Sequence, residues 1–194
     1  MQAPAQGVTD MVPLTQLLIP IVLAAVAVFV LSALVHMVFK WHSSDFIGLP
    51  DEPAARTALK GVAPGQYFVP HCPDFKELRK PEARQKFIDG PVALIVVRPP
   101  APPSMGAPLA QWFVLNLLVA VAVGYLASRT VPQGASFLAV CRVAGLTAFL
   151  AYAVGAVSHG IWFGKPWGSV AKDLLDSLLY GLATALVFAW LWPR

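Results

Sequence analysis

VPLTQLLIPIVLAAVAVFVLSALVHMVF, residues 12–39, gives way to KWHSSDF, residues 40–46, and this junction decides the fold. Crossing about 30 Å of hydrocarbon takes roughly 20 apolar residues in a helix. The run from residue 12 exceeds that length and then breaks into a charged, aromatic collar. It is too long for the apolar core of a secretion signal, about 7–15 residues. The residues before it, MQAPAQGVTDM, carry no Lys or Arg to start such a signal. It is read as a retained membrane span. Pro13 suits the first turn of a helix, and Pro20, deeper in, is expected to kink it.

Working outward, three more apolar runs follow at residues 109–128, 135–160 and 170–192. Short connections make these three spans antiparallel neighbours. Only 12% of the 194 residues are charged and 57% are hydrophobic. A soluble domain carries about 25% charged residues, so the deficit fits a chain lying largely in lipid. The net charge of +4 is not organised for nucleic acid, because no basic run is interleaved with aromatic platforms. The tryptophans, Trp41, Trp112, Trp162, Trp167, Trp190 and Trp192, all fall near expected span ends, where an interfacial belt belongs.

Between the first two spans lies the one sizeable polar segment. It holds nine of the fourteen basic residues: Lys40, Arg56, Lys60, Lys76, Arg79, Lys80, Arg84, Lys86 and Arg98. Asp51-Glu52-Pro53 opens a short helix that ends before Gly61. Gln66-Tyr67-Phe68-Val69 reads as a short strand. Asp74 and Glu77 have capping-box spacing for a second helix, which Pro81 interrupts or restarts. Residues 92–97, VALIVV, are the strongest strand in the chain. Two helices and a two-stranded ribbon make a small core, so this unit is expected to lean on another surface. The prolines of residues 99–108 make a semi-rigid link back to the bilayer.

The expected fold is therefore an all-α membrane protein, a four-transmembrane-helix bundle with a small α+β insertion. Its parts are a tail at 1–11, a span at 12–39, the insertion at 40–98, a linker at 99–108 and the remaining spans within 109–192. Lys and Arg flanking the spans are richer on the side of Lys40, Arg56, Arg98, Lys165 and Lys172 than on that of Arg129 and Arg194. That bias puts residues 40–108 in the cytoplasm and both termini outside. Cys72 and Cys141 then fall on opposite sides and stay unpaired.

Polar residues inside spans usually face the bundle. Ser32 and His36 share a face of span 1. Asn116, Ala120, Gly124 and Ser128 make a small-residue ridge on span 2. Arg142, Gly145, Phe149, Tyr152, Ala156 and His159 share a face of span 3. Asp173, Ser177, Tyr180 and Thr184 share one on span 4, with Asp176 beside it. His36, Asn116, His159, Asp173, Asp176 and Tyr180 thus form a polar cluster towards one membrane face, with His42 just outside it.

This cluster admits three uses. His36 and His159, on separate helices, could ligate haem or another metal. The histidines and aspartates could relay protons or ions, although only Arg142 and Thr184 continue towards the other face. Alternatively, the acids complement the N-terminus of span 4 and the histidines the C-termini of spans 1 and 3, as structural groups. His71-Cys72 lacks the spacing of a zinc pair. No phosphate loop, nucleophile elbow or zinc-protease helix occurs in the sequence, so no catalytic residue is assigned.

Several motifs carry a resemblance: Trp41-His42-Ser43-Ser44-Asp45-Phe46 with Leu49-Pro50-Asp51-Glu52; Pro64-Gly65-Gln66-Tyr67-Phe68-Val69-Pro70; Gly90-Pro91-Val92; Met105-Gly106; Arg142-Val143-Ala144-Gly145 with Ala148-Phe149-Leu150-Ala151-Tyr152; and Trp190-Leu191-Trp192-Pro193. From Trp41 onward the chain resembles a family of small bacterial four-span integral membrane proteins without an established activity. The resemblance implies a bacterial four-span architecture and brings no cofactor or site residue with it. The expected role is a non-catalytic accessory or scaffolding subunit that docks a partner through residues 40–108. That partner would be another membrane subunit or a second copy of the chain. The alternatives are a small proton- or ion-coupled transporter and a haem- or metal-binding membrane enzyme subunit using His36 and His159. No cofactor is called for by motif, and haem or metal is left open.

Overall fold

The computed structural model describes residues 11–74 and 76–194. The expected tail, Met11 apart, lies outside them. The first span is compound. A 3-10 turn, Leu14–Leu17, leads into α1 (Leu18–Ala33), and a wider π turn, Leu34–Phe39, ends it. Pro20 therefore falls in the first turn of the α-helix, where a missing N–H costs little. The helix changes type from 3-10 to α just before it.

Residues 47–103 form a compact unit of their own. It contains α2 (Glu52–Ala58), β1 (Gly65–Val69), α3 (Pro81–Asp89) and β2 (Ala93–Val97). Asp51 caps α2, its carboxylate accepting from the Ala54 N–H at 2.9 Å. β1 and β2 pair antiparallel, with Tyr67 opposite Ile95. The Asp74–Glu77 segment makes only a 3-10 turn, Glu77–Arg79. The following α-helix starts afresh at Pro81, which tolerates the first helical position. Among the described residues of this unit none is buried. Phe68, Ile88, Val92 and Val96 are all more than half exposed.

The other unit is the helical bundle. α4 (Gly106–Thr130), α5 (Phe137–Phe163) and α6 (Trp167–Trp190) join the first span in it. Among the described residues these four helices are long and apolar enough to cross a membrane. Outward-facing leucines and valines such as Leu118, Leu146, Leu182 and Leu186 stay exposed, as lipid contact requires. Association in lipid depends on close packing rather than on expelling water. Glycines supply it. A Cβ on Gly124 would stand 2.9 Å from Ile21 Cδ1, and one on Gly181 would stand 3.0 Å from the Gly145 carbonyl oxygen. Val140, Ala144, Ala148 and Ala153 are the buried residues of α5, and from the expected face Gly145 and Phe149 meet Gly181 of α6 while Tyr152 bonds Asn116 of α4. Small side chains let α5 lie tight against α6, while Arg142 turns outward.

The tryptophans divide into two groups. Trp162, Trp167 and Trp190 are well exposed, consistent with an interfacial belt. Trp41, Trp112 and Trp192 instead brace the bundle through their indole N–H groups. Trp112 donates to Ser32 Oγ at 2.8 Å, Trp192 to the Pro132 carbonyl at 3.0 Å, and Trp41 to Asp176 at 3.1 Å.

Candidate metal centre

Three side chains meet where the first span ends and α6 is two turns old: His36, His42 and Asp176. Local backbone geometry brings them together. His36 sits in the π turn. Lys40, in the left-handed region at φ 54°, closes that turn by donating its N–H to the Val35 carbonyl at 3.0 Å. The chain then reverses into a 3-10 turn, Trp41–Ser44, which folds His42 back over His36. The two imidazoles stack with centroids 4.8 Å apart and planes 3° apart. π turns inside helices often mark functional sites because they re-aim side chains that an α-turn would disperse.

The ligand-type atoms lie within 4.8 Å of one another. Asp176 Oδ2 is 2.9 Å from His42 Nε2 and 3.8 Å from His36 Nε2. Each residue's other polar atom is already held. His36 Nδ1 donates to the Ser32 carbonyl at 3.0 Å, since a carbonyl can only accept. Its Nε2 faces Asp176. His42 Nδ1 is 2.7 Å from Asp45 Oδ2. Asp176 Oδ1 accepts from the Trp41 indole. Asp176 is 5% exposed, so its carboxylate depends on these partners.

Asp45 is anchored in turn. Lys172 Nζ donates to Asp45 Oδ1 at 2.6 Å, to Ser44 Oγ at 2.8 Å and to the Trp41 carbonyl at 2.8 Å. The Lys172 ammonium, helped by hydrogen bonds from His42 and Ser169, holds the Asp45 carboxyl down to about 2 against the opposing effect of burial. Asp45 is therefore a fixed negative charge behind His42. Lys172 also pins the whole turn to α6.

A His/His/Asp cluster able to coordinate a metal is thus present. Zinc binds nitrogen and oxygen at about 2.0–2.2 Å, which places neighbouring tetrahedral ligands about 3.3 Å apart. Asp176 Oδ2 brackets that separation from the two histidines. Zinc and non-haem ferrous iron are among the first-row metals that accept two imidazoles and one carboxylate.

The residues singled out by sequence are distributed around this centre. His36 and Asp176 belong to it. Asp173 pairs with Lys165 instead. His159 Nδ1 bonds the Gly155 carbonyl at 2.8 Å, and its ring packs on Phe163. Asn116 is fully buried and accepts from the Tyr152 hydroxyl at 3.0 Å. Its amide nitrogen has no partner among the described residues. Tyr180 packs edge to face on both Trp112 and Tyr152, whose own ring planes are tilted by 52°. A cleft of about 370 Å³ is lined by His36, His159, Lys165, Asp173, Asp176 and Tyr180 among others.

Sequence reasoning missed His42, Asp45, Trp41 and Lys172 as parts of one site. The collar W-H-S-S-D was visible, and its His and Asp at i, i+3 were the available signal. Nothing local showed that the collar folds back onto α6.

A scan against protein-family models, a search of curated proteins and a search of solved structures each found no match. The family resemblance therefore rests on the quoted motifs, and the four-span membrane bundle on the structure itself.

Proposed function

We propose that this protein is an integral membrane protein with a divalent transition-metal centre held by His36, His42 and Asp176. One observation carries the reading: each ligand has its non-coordinating atom fixed by a separate partner, namely the Ser32 carbonyl, Asp45 and the Trp41 indole. Metal sites are built this way, because outer partners set the tautomer, orientation and basicity of the ligands.

Three protein ligands leave a coordination position open, the pattern of reactive rather than structural zinc. The metal, when bound, supplies Lewis acidity there. The protein's own part is to hold two neutral imidazoles and one carboxylate in place, and to release the His42 proton that metal replaces. Metal titration of the purified protein tests the reading. One equivalent of zinc should bind wild type, and His42→Ala and Asp176→Ala should lose it. A wild-type protein that takes up neither zinc nor ferrous iron refutes it.

A second reading concerns the insertion. Its described residues include no buried one, yet Phe68, Ile88, Val92 and Val96 are exposed. That favours an accessory role in which residues 47–103 dock another membrane subunit or a second copy. The charge bias supports a cytoplasmic position for this unit with both termini outside, and the family resemblance supports a bacterial inner membrane. Co-purification after mild detergent extraction, compared with a Phe68→Ser/Val96→Ser variant, tests it. A monomer with no bound partner counts against it.

A further inference from the structure

Arg142 stands on the second turn of α5, at the end of the bundle opposite His36, His42 and Asp176. It is exposed, and its guanidinium makes no ion pair or hydrogen bond among the described residues. A permanent charge inside a span is usually paired. Here the helical unit offers it no acid. Among the described residues that unit holds Asp45, Asp173 and Asp176. All three lie at the other end, engaged by Lys172, Lys165 and His42 respectively. The end that carries Arg142 carries Arg129 and Arg194 as well.

An apolar groove of about 460 Å³ runs between α5 and α6 from Arg142 inward. Gly145 and Gly181 form its floor, where the two helices touch. Leu146 and Phe149 wall it on α5, Leu178 and Leu182 on α6. The three leucines are about half exposed, so the groove opens to lipid. The Cys141 thiol at its edge is already turned to the Ala185 carbonyl, at 3.7 Å. Arg142 is left as the polar head of a hydrocarbon lining.

Depth orders these two parts. Arg142 and Phe149 are separated by about 10 Å along the helix axis, and Phe149 is the deeper in the bilayer. Helical Cα–Cβ bonds tilt towards the N-terminus, so the Arg142 side chain leads back to the membrane surface, where long basic side chains place their charge. A cation near the headgroups with a hydrocarbon groove beneath it complements a phospholipid, anion first and chain after. A guanidinium also matches the two free oxygens of a phosphodiester with parallel N–H donors. Charge then selects among phospholipids. With Arg129 and Arg194 at the same end, a lipid of net negative charge is favoured over a zwitterionic one, whose ammonium adds positive charge to that surface.

We propose that this groove binds an anionic phospholipid, its phosphodiester on Arg142 and one acyl chain between α5 and α6. The site shares no residue with the metal reading and stands or falls without it.

Native mass spectrometry of the full-length protein in neutral detergent tests the proposal by titration with dioleoyl phosphatidylglycerol. Phosphatidylcholine of the same chains and glycerophosphoglycerol, the same head without chains, are the comparison ligands. Phosphatidylglycerol should bind more tightly than either by about tenfold or more, the size expected for hydrogen bonds to a charged group. Arg142→Gln should weaken it by a similar factor and remove the preference over phosphatidylcholine. Leu182→Trp, which fills the groove, should weaken it as well. Arg129→Gln, whose guanidinium lies over the Tyr125 ring instead, should leave it unchanged. If Arg142→Gln or Leu182→Trp melts early, the comparison of the three ligands on wild type decides alone. Equal affinity for phosphatidylglycerol and phosphatidylcholine overturns the proposal, as does equal affinity for the chainless head. An equal loss in Arg129→Gln reveals diffuse surface charge and overturns it too. A wild-type dimer that Leu182→Trp splits gives the groove to a second copy and removes the lipid.

Discussion

Trp41→Phe isolates one hydrogen bond of the proposed metal centre. The substitution keeps an aromatic ring against Phe39, whose centroid lies 6.1 Å away, and removes only the N–H that Asp176 Oδ1 accepts at 3.1 Å. Asp176 is nearly inaccessible to solvent, so water does not replace the lost donor. A hydrogen bond to a charged group contributes about 1.5–3 kcal/mol, and the metal-free protein should lose stability in that range. Outer partners of metal ligands typically change metal affinity by about 10–100-fold, equivalent to about 1.4–2.7 kcal/mol. Because Oδ2, the ligating oxygen, keeps its position on α6, the lower end is expected: about a tenfold weaker zinc affinity at unchanged stoichiometry. Chelator competition in one detergent buffer measures the affinity, and thermal melts with EDTA measure the stability. Trp190→Phe is the control, since that ring is 83% exposed and should change neither quantity. Zinc affinity within twofold of wild type would show that the Trp41–Asp176 bond does not tune the site.

Other perturbations reach different parts of the bundle. Gly181→Ala would place a methyl group 3.0 Å from the Gly145 carbonyl oxygen and 3.1 Å from Phe149 Cβ. It should destabilise the α5–α6 pair by about 1–3 kcal/mol in thermal melts, whereas Gly155→Ala, with open space around it, should not. Ser32→Ala leaves the Trp112 indole without its acceptor and should cost about 1–3 kcal/mol in the same measurement. Acid should expose the Asp45–Lys172 pair. Because the Asp45 carboxyl is lowered from 3.8 to about 2, its contribution is complete above about pH 4 and disappears as pH falls through 2. Melting temperatures of metal-free wild type should drop over that window, and Lys172→Met should shrink the drop.

Much of the architecture was legible along the chain because lipid imposes a local rule. Every spanning backbone must satisfy its own hydrogen bonds, so length and apolarity mark a helix without reference to its neighbours. The glycine and asparagine ridge of α4 was legible for a similar reason, since 3.6-residue periodicity is a property of the helix itself. Its members Asn116, Ala120, Gly124 and Ser128 are all buried. Turn types were harder. Whether Asp74–Glu77 nucleates a helix, or residues 34–39 form a π rather than an α turn, depends on small energy differences that neighbours decide.

The His36, His42 and Asp176 cluster shows the boundary between the two kinds of information. Sequence alone determined that His36 and Asp176 lie near the same membrane face, because depth along a span follows from counting residues. It also determined that a Trp-His-Ser-Ser-Asp collar leaves the membrane there. Only tertiary structure decided that His42, rather than His159, stands over His36. That choice depends on one left-handed residue, Lys40, which reverses the chain, and on Lys172, which ties the reversed turn to α6 across more than 120 residues of sequence. Rotation of one helix against another and the direction of a loop after a span leave no periodic trace in the sequence. They follow from which side chains find partners once the helices have packed.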